Sequence, residues 1–87
     1  MTIERIIVGA TGDDAAARSA ARRLLDEGHE IVFVGGHQTP EHLGRTAVAE
    51  DAVRILADTA ADVTALGRIA AVCAELGAPD IAVEHLV

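Results

Sequence analysis

Hydrophobic positions along the chain alternate between two periods. Four short runs rich in Val and Ile, Arg5 to Ala10, Glu30 to Gly35, Ala52 to Ala57 and Ile81 to Leu86, have the length and composition of strands. Between them the apolar spacing changes to that of a helix. The first helix is expected from about Asp14 to Glu27, with Ala17, Ala20, Ala21, Leu24 and Leu25 on one stripe, Thr11 or Asp13 as its cap, and Gly28 as its stop. The second opens on Thr39 as cap, with Pro40 at the first helical position and Glu41 at the positive helix end, and turns Leu43, Ala47 and Val48 inward. The third runs from about Asp62 to Leu76, with Leu66, Ile69, Ala70 and Cys73 on its core face, and ends at Gly77 and Pro79.

Strands and helices that alternate with short connections imply right-handed crossovers and a parallel sheet covered by helices on both faces. The expected fold class is therefore α/β, with four parallel strands and three helices in three layers. In such sheets ligands sit beyond the carboxyl ends of the strands, close to where the strand order reverses. The loops to inspect are Gly9 to Asp14, Gly35 to Thr39 and Asp58 to Asp62.

Composition narrows the choice of partner. With 87 residues the chain has room for one core, so a single unit over 1–87 is expected. Apolar residues make up 51%, but many are alanine and Phe33 is the only aromatic, so burial per residue is modest and self-association would add to it. Seven arginines, no lysine and fourteen carboxylates give a net charge of −7, which repels a phosphate backbone, and single strands find no aromatic platform, so nucleic acid is excluded as a partner. No apolar run reaches the length of a membrane span and the start lacks a signal-peptide pattern, so a cytoplasmic location without membrane contact is the expectation.

The first loop, GATGDDA from Gly9 to Ala15, approximates the glycine fingerprint of dinucleotide sites. Asp13 and Asp14 would repel a pyrophosphate there, and Gly35-Gly36-His37 stands where an acidic ribose ligand is needed. A turn in which Thr11 and Asp14 form a capping-box-like start explains the loop better. A second reading gathers Asp13, Asp14 and Asp58 at one edge, as in magnesium-dependent phospho-receiver sites, although the chain has no lysine to complete that arrangement. His29, His37, His42 and His85 lack the i, i+4 spacing of helical metal pairs; His29 and His85 fall at strand ends facing solvent, and His37 alone falls on the ligand edge. Ser19 lies within a helix and Cys73 on a core face, so neither has a base beside it for nucleophilic catalysis. A lone cysteine also builds neither a disulfide framework nor a thiolate zinc site within one chain.

The stretches GGHQTPEHLGRTAVAEDAV and ELGAPDIAV resemble the cobalamin-binding domain of the methylmalonyl-CoA mutase family, through Gln38, Thr39, Pro40, Glu41, Ala47, Val48, Leu76, Gly77, Pro79, Asp80 and Ile81. The resemblance implies a flavodoxin-like sheet in the order 2-1-3-4 and cobalamin as the cofactor. It also implies that Gly12, Asp13, Gly35, Gly36, His37, Gln38, Thr39 and Thr59 approach the corrinoid or its nucleotide tail. The family motif D-x-H-x-x-G, whose histidine ligates cobalt and whose aspartate orients it, aligns with Thr11, Asp13 and Ala16. Ligand, orienting acid and glycine are all absent, the loop is about three residues shorter by that alignment, and a carboxylate at Asp13 is no substitute for a nitrogen donor. Asp58-Thr59-Ala60 stands where the family has a serine-x-leucine phrase along the tail.

These departures suggest a degenerate homologue that serves as a non-catalytic interaction or regulatory module, without histidine-on cobalt ligation and with no metal site or catalytic residue of its own. The alternative is a genuine cobalamin-binding small subunit of an adenosylcobalamin-dependent acyl-CoA mutase, and the acidic receiver-like site is a third reading. The family pattern continues beyond a fourth strand, so a chain ending at Val87 would leave Ile81, Val83 and Leu86 on an open edge. A homodimer or a larger mutase-type subunit would cover that edge.

Overall fold

In the computed structural model, which describes residues 3–86, the elements follow the order β1 (Arg5–Ala10), α1 (Ala15–Asp26), β2 (Glu30–Gly35), α2 (Pro40–Ala49), β3 (Arg54–Asp58), α3 (Ala65–Glu75) and β4 (Ala82–His85). All three strand pairs are parallel and the sheet order is β2-β1-β3-β4. This is the flavodoxin-like α/β arrangement in the expected strand order. The expected unit 1–87 also takes in Met1, Thr2 and Val87, which lie outside the described residues.

The chain steps from β1 to β2 in one direction and from β2 through β3 to β4 in the other, so right-handed crossovers split the helices between the faces. Ile6, Val8 and Ala10 of β1 pack with Ala17, Ala20, Ala21 and Leu24 of α1 on one side. On the other, Ile7, Ile55 and Ala57 pack with Leu43 and Ala47 of α2 and with Ile69 and Cys73 of α3. Strand β1 is buried on both faces, which is why its sequence reads as a continuous apolar run.

Several boundaries differ from expectation. Helix α1 starts at Ala15 with Asp14 at the cap position, and neither Thr11 nor Asp14 caps it through a side chain. Asp13 Oδ2 instead accepts the Ala15 N–H at 3.0 Å, and Thr11 is drawn away to Asp58. Leu25 is 56% exposed because the face that meets this narrow sheet is filled by Ala17, Ala20, Ala21 and Leu24. Helix α3 starts three residues later than expected, after a turn held by Asp62, and Ala70 is exposed while Ala65, Ile69 and Cys73 are buried. Strand β3 begins at Arg54 rather than Ala52, which is buried before it, and Ile81 and Leu86 flank β4 rather than belong to it.

All three helices end in the same hydrogen-bonded turn: His29, Ala52 and Ala78 donate to the carbonyls of Leu24, Ala47 and Cys73. The left-handed residue of that turn is Gly28 at φ 94° and Gly77 at φ 84°, but Asp51 at φ 54° after α2.

The amino-terminal edge of the sheet carries an ion-pair network. Arg54 Nε donates to Glu4 at 3.0 Å and Arg54 also pairs with Glu84, while Arg5 binds Glu30 at 2.9 Å. The hydrogen bond from Arg54 holds the Glu4 carboxyl below the usual carboxylate range. Glu41 is lowered by its own backbone N–H and then by Arg68, and Asp62 by the hydroxyl and N–H of Thr64. A carboxylate depressed in the fold contributes stability above its ordinary pKa and loses it as pH falls through the lowered value. Urea unfolding followed against pH is therefore expected to show stability falling through the acid range, and Arg54→Gln is expected to flatten that fall.

Candidate functional site

The carboxyl ends of the strands are covered by three loops that clasp one another. From the first loop, Thr11 N–H donates to the Asp58 carbonyl at 3.0 Å, tying it to the end of β3. From the second, His37 N–H donates to the Gly12 carbonyl and Gln38 N–H to the Ala10 carbonyl, both at 2.9 Å. The Gln38 side chain then folds back, its Nε2 donating to Val34 at 3.0 Å and Gly36 at 3.2 Å. Thr39 caps α2 as expected, its Oγ1 accepting the His42 N–H at 3.0 Å.

Glycine is needed in this clasp because the loops approach closely. A Cβ on Gly36 would lie 2.6 Å from the Gly12 carbonyl oxygen, a backbone atom that has no rotamer by which to move aside. Gly36→Ala is expected to push the loops apart at a cost of about 1–3 kcal/mol. In a domain of this size that lowers the thermal midpoint by roughly 4–8 °C per kcal/mol, with faster amide exchange at His37 and Gln38 as its local sign.

Between the first and third loops lies an open cleft of about 320 Å³, lined by Gly12, Asp13, Ala15, Ala16, Asp58, Ala60 and Ala61. It sits where the chain leaves β1 toward one face and β3 toward the other, the position a ligand takes in this fold class. Of the expected site residues, Gly12 and Asp13 reach this cleft. Gly35, Gly36, His37, Gln38 and Thr39 lie in the second loop and do not line it. Thr59 is 5% exposed at the end of β3.

The helix starts on this rim are already occupied by the chain's own acceptors. Asp13 takes the Ala15 N–H at α1, Thr39 takes the His42 N–H at α2, and Asp62 takes the Thr64 N–H at 3.0 Å ahead of α3. Acidic and hydroxyl groups there match the positive helix end and compete with any pyrophosphate for the same donors. The receiver-like convergence also fails. Asp13 and Asp58 face the cleft, but Asp14 Oδ2 turns to Arg18 at 3.2 Å, and among the described residues no group of three or more His, Cys, Asp or Glu is placed to hold a metal ion. Cys73 is buried in the core between α3 and the sheet, away from the rim, and burial raises its thiol above its ordinary pKa.

Histidine placement tests the cofactor implied by the resemblance. In the first loop the ligand position is held by Asp13, a hard oxygen donor bonded to its own helix. His29 lies at the opposite end of the sheet, its Nδ1 accepting the Glu4 N–H at 3.2 Å, and His42 is in the first turn of α2. His85 departs from expectation. It is exposed but not free, because its Nδ1 meets Thr59 Oγ1 at 2.9 Å and the Thr59 N–H at 3.4 Å. This contact ties the imidazole to the end of β3 on the rim. The parallel register that sets His85 beside Ala57 brings it there, and strand pairing is not visible in a single run of residues. His37, exposed and at φ 55°, is the other imidazole on the rim. The residues present do not fit histidine ligation of cobalt from the first loop.

Fold and rim together define the class: a flavodoxin-like α/β module with a cleft at its switch point that is lined by small residues and faced by Asp13 and Asp58. No family model matches the chain. Among curated proteins it is similar to the 2-hydroxyisobutanoyl-CoA mutase small subunit of Aquincola tertiaricarbonis, at 41% identity over 44 residues. That stretch is 51% of this chain and 32% of the relative, so the likeness spans about a third of that protein's length and supports a related domain. Among the described residues no helix is long and apolar enough to cross a membrane.

Proposed function

We propose that this chain is a non-catalytic module on a cobalamin-binding-domain scaffold, working beside a larger mutase-type subunit that supplies the catalytic groups, and that it does not ligate cobalt through a histidine. The observation that carries this reading is the state of the β1–α1 loop. Position 13 is a carboxylate bonded to the Ala15 N–H, and the loop is clasped to β3 through Thr11 and to the second loop through Gly12. A loop held in this way has neither the nitrogen donor nor the length of the cobalt-binding motif. Likeness to a mutase small subunit favours a subunit role over a free-standing one.

The same likeness favours the second reading, a cobalamin-binding small subunit in which Gly12, Asp13, Gly35, Gly36, His37, Gln38, Thr39 and Thr59 contact the corrinoid or its tail. Titration of the purified chain with hydroxocobalamin, followed by absorbance, separates the two. The proposal expects no spectral change of the kind produced when an imidazole replaces the upper or lower ligand, and an identical trace for His37→Ala. Tight binding with a spectral shift abolished in His37→Ala would overturn it.

A further inference from the structure

We infer that the outer edge of β2 is a self-association surface, and that its occupant is β2 of a second copy of this chain, paired antiparallel across a two-fold axis. The sheet has two edges, and they are built differently. Strand β4 is four residues long, with Glu84 and His85 exposed on it. Strand β2 is six residues long, and its central residues, Ile31, Val32, Phe33 and Val34, are all apolar, with no charge or proline among them. None of the four is fully buried, and Phe33 is 37% exposed beneath the Arg18 guanidinium, 5.3 Å from the ring centre. Proteins that keep an edge unpaired shorten it, charge it or interrupt it with proline, and among the described residues only β4 is treated that way.

The hydrogen bonding says which groups are open. Glu30 N–H donates inward to the Glu4 carbonyl at 3.0 Å, so by the alternation of a parallel ladder Val32 also faces β1, and the N–H and C=O of Ile31 and Phe33 face outward. In an antiparallel pairing of two copies, one register satisfies all four outward groups of each strand: Ile31 opposite Phe33 of the second copy, with Val32 opposite Val32 on the axis. Every one of these cross-strand pairs is apolar. Head-to-tail pairing of β2 with β4 of another copy would instead set Ile31 and Phe33 against Glu84 and His85, which disfavours an open filament and selects the closed dimer.

A strand pair of this length is a small interface, so association should depend on concentration. Sedimentation velocity over a dilution series is expected to show the 9.0 kDa monomer passing to a dimer. Over the same series the Ile31 and Phe33 amides are expected to slow in hydrogen exchange by roughly tenfold, while Val32 stays unchanged. Phe33→Lys, checked for folding by circular dichroism, is expected to remain monomeric. A monomer throughout the series would overturn the inference, and so would a dimer in which the Ile31 and Phe33 amides exchange as fast as in the dilute chain. Neither readout involves cobalamin or a mutase subunit, so this inference stands or falls independently of the proposed function.

Discussion

Replacing Ile7 with alanine is expected to lower the free energy of unfolding by about 2–5 kcal/mol, the range for deleting a fully buried aliphatic side chain whose surroundings relax only in part. Ile7 is 0% exposed in the middle of the central strand, aligned with Val32 on one side and Ile55 on the other, and it packs into the cluster shared by α2 and α3. Such a loss is a large share of the whole. At roughly 0.05–0.15 kcal/mol per residue, a chain of 87 residues holds about 4–13 kcal/mol in total. Many of its core positions are alanine, so few large side chains are available to close over the space. Urea melts should show an earlier midpoint with little change in slope. A midpoint equal to that of the parent would mean that the sheet centre is not where this fold is held.

The two helical glycines outside the rim are expected to respond to alanine with opposite signs. A Cβ on Gly44 would lie 2.7 Å from Cγ1 and 2.9 Å from Cβ of Val72, where α2 and α3 pass each other. Because Val72 is branched at Cβ, rotation cannot clear the contact and the helices must separate. Alanine gains about 1 kcal/mol in helix propensity over glycine, and overpacking costs about 1–3 kcal/mol, so Gly44→Ala is expected to destabilise. Gly44→Val adds volume at the same point and should lie at or beyond the top of that range. Gly67 in α3 faces open space, with nothing within 4 Å of an added Cβ, so Gly67→Ala is expected to raise stability by about 0.4–1 kcal/mol. Thermal melts of the three variants beside the parent test the contrast, and equal shifts for Gly44→Ala and Gly67→Ala would contradict the helix contact.

The α2–α3 contact also bears on the rim. Helix α2 carries the Thr39 cap and, just ahead of it, Gln38, so a displaced α2 would pull on the clasp between the first two loops. A measurable consequence is faster amide exchange at Gln38 in Gly44→Val.

Local pattern was enough to locate every strand and helix to within a few residues, because burial on one or both faces imposes a period that side-chain chemistry displays directly. Thr39-Pro40-Glu41 announced α2 correctly, since a cap, a fixed φ and a dipole-compatible acid act within four residues of one another. The start of α1 was less legible. Thr11, Asp13 and Asp14 are each chemically able to cap, and the choice among them rests on Asp58, forty-seven residues from Thr11, which claims its hydroxyl. Leu25 and Ala70 misled for a related reason: helical spacing gives the direction of a stripe, while its width is set by how much sheet lies beneath it.

The candidate site divides in the same way. Its loops could be named from strand order alone, and the absence of a histidine at position 13 is a fact of the chain. That Gly36 serves the approach of one loop to another, that Asp14 pairs with Arg18 while Asp13 and Asp58 face a cleft, and that His85 reaches Thr59 all depend on strand register and on loops meeting across the sheet.

By itself the sequence determined the element order, the parallel three-layer architecture and the missing imidazole, because these follow from periodicity and residue identity along one stretch of chain. Tertiary structure alone decided which groups share the rim and that β2 is the long apolar edge. Both are relations between residues far apart in sequence, and they acquire a distance only when the sheet brings them together.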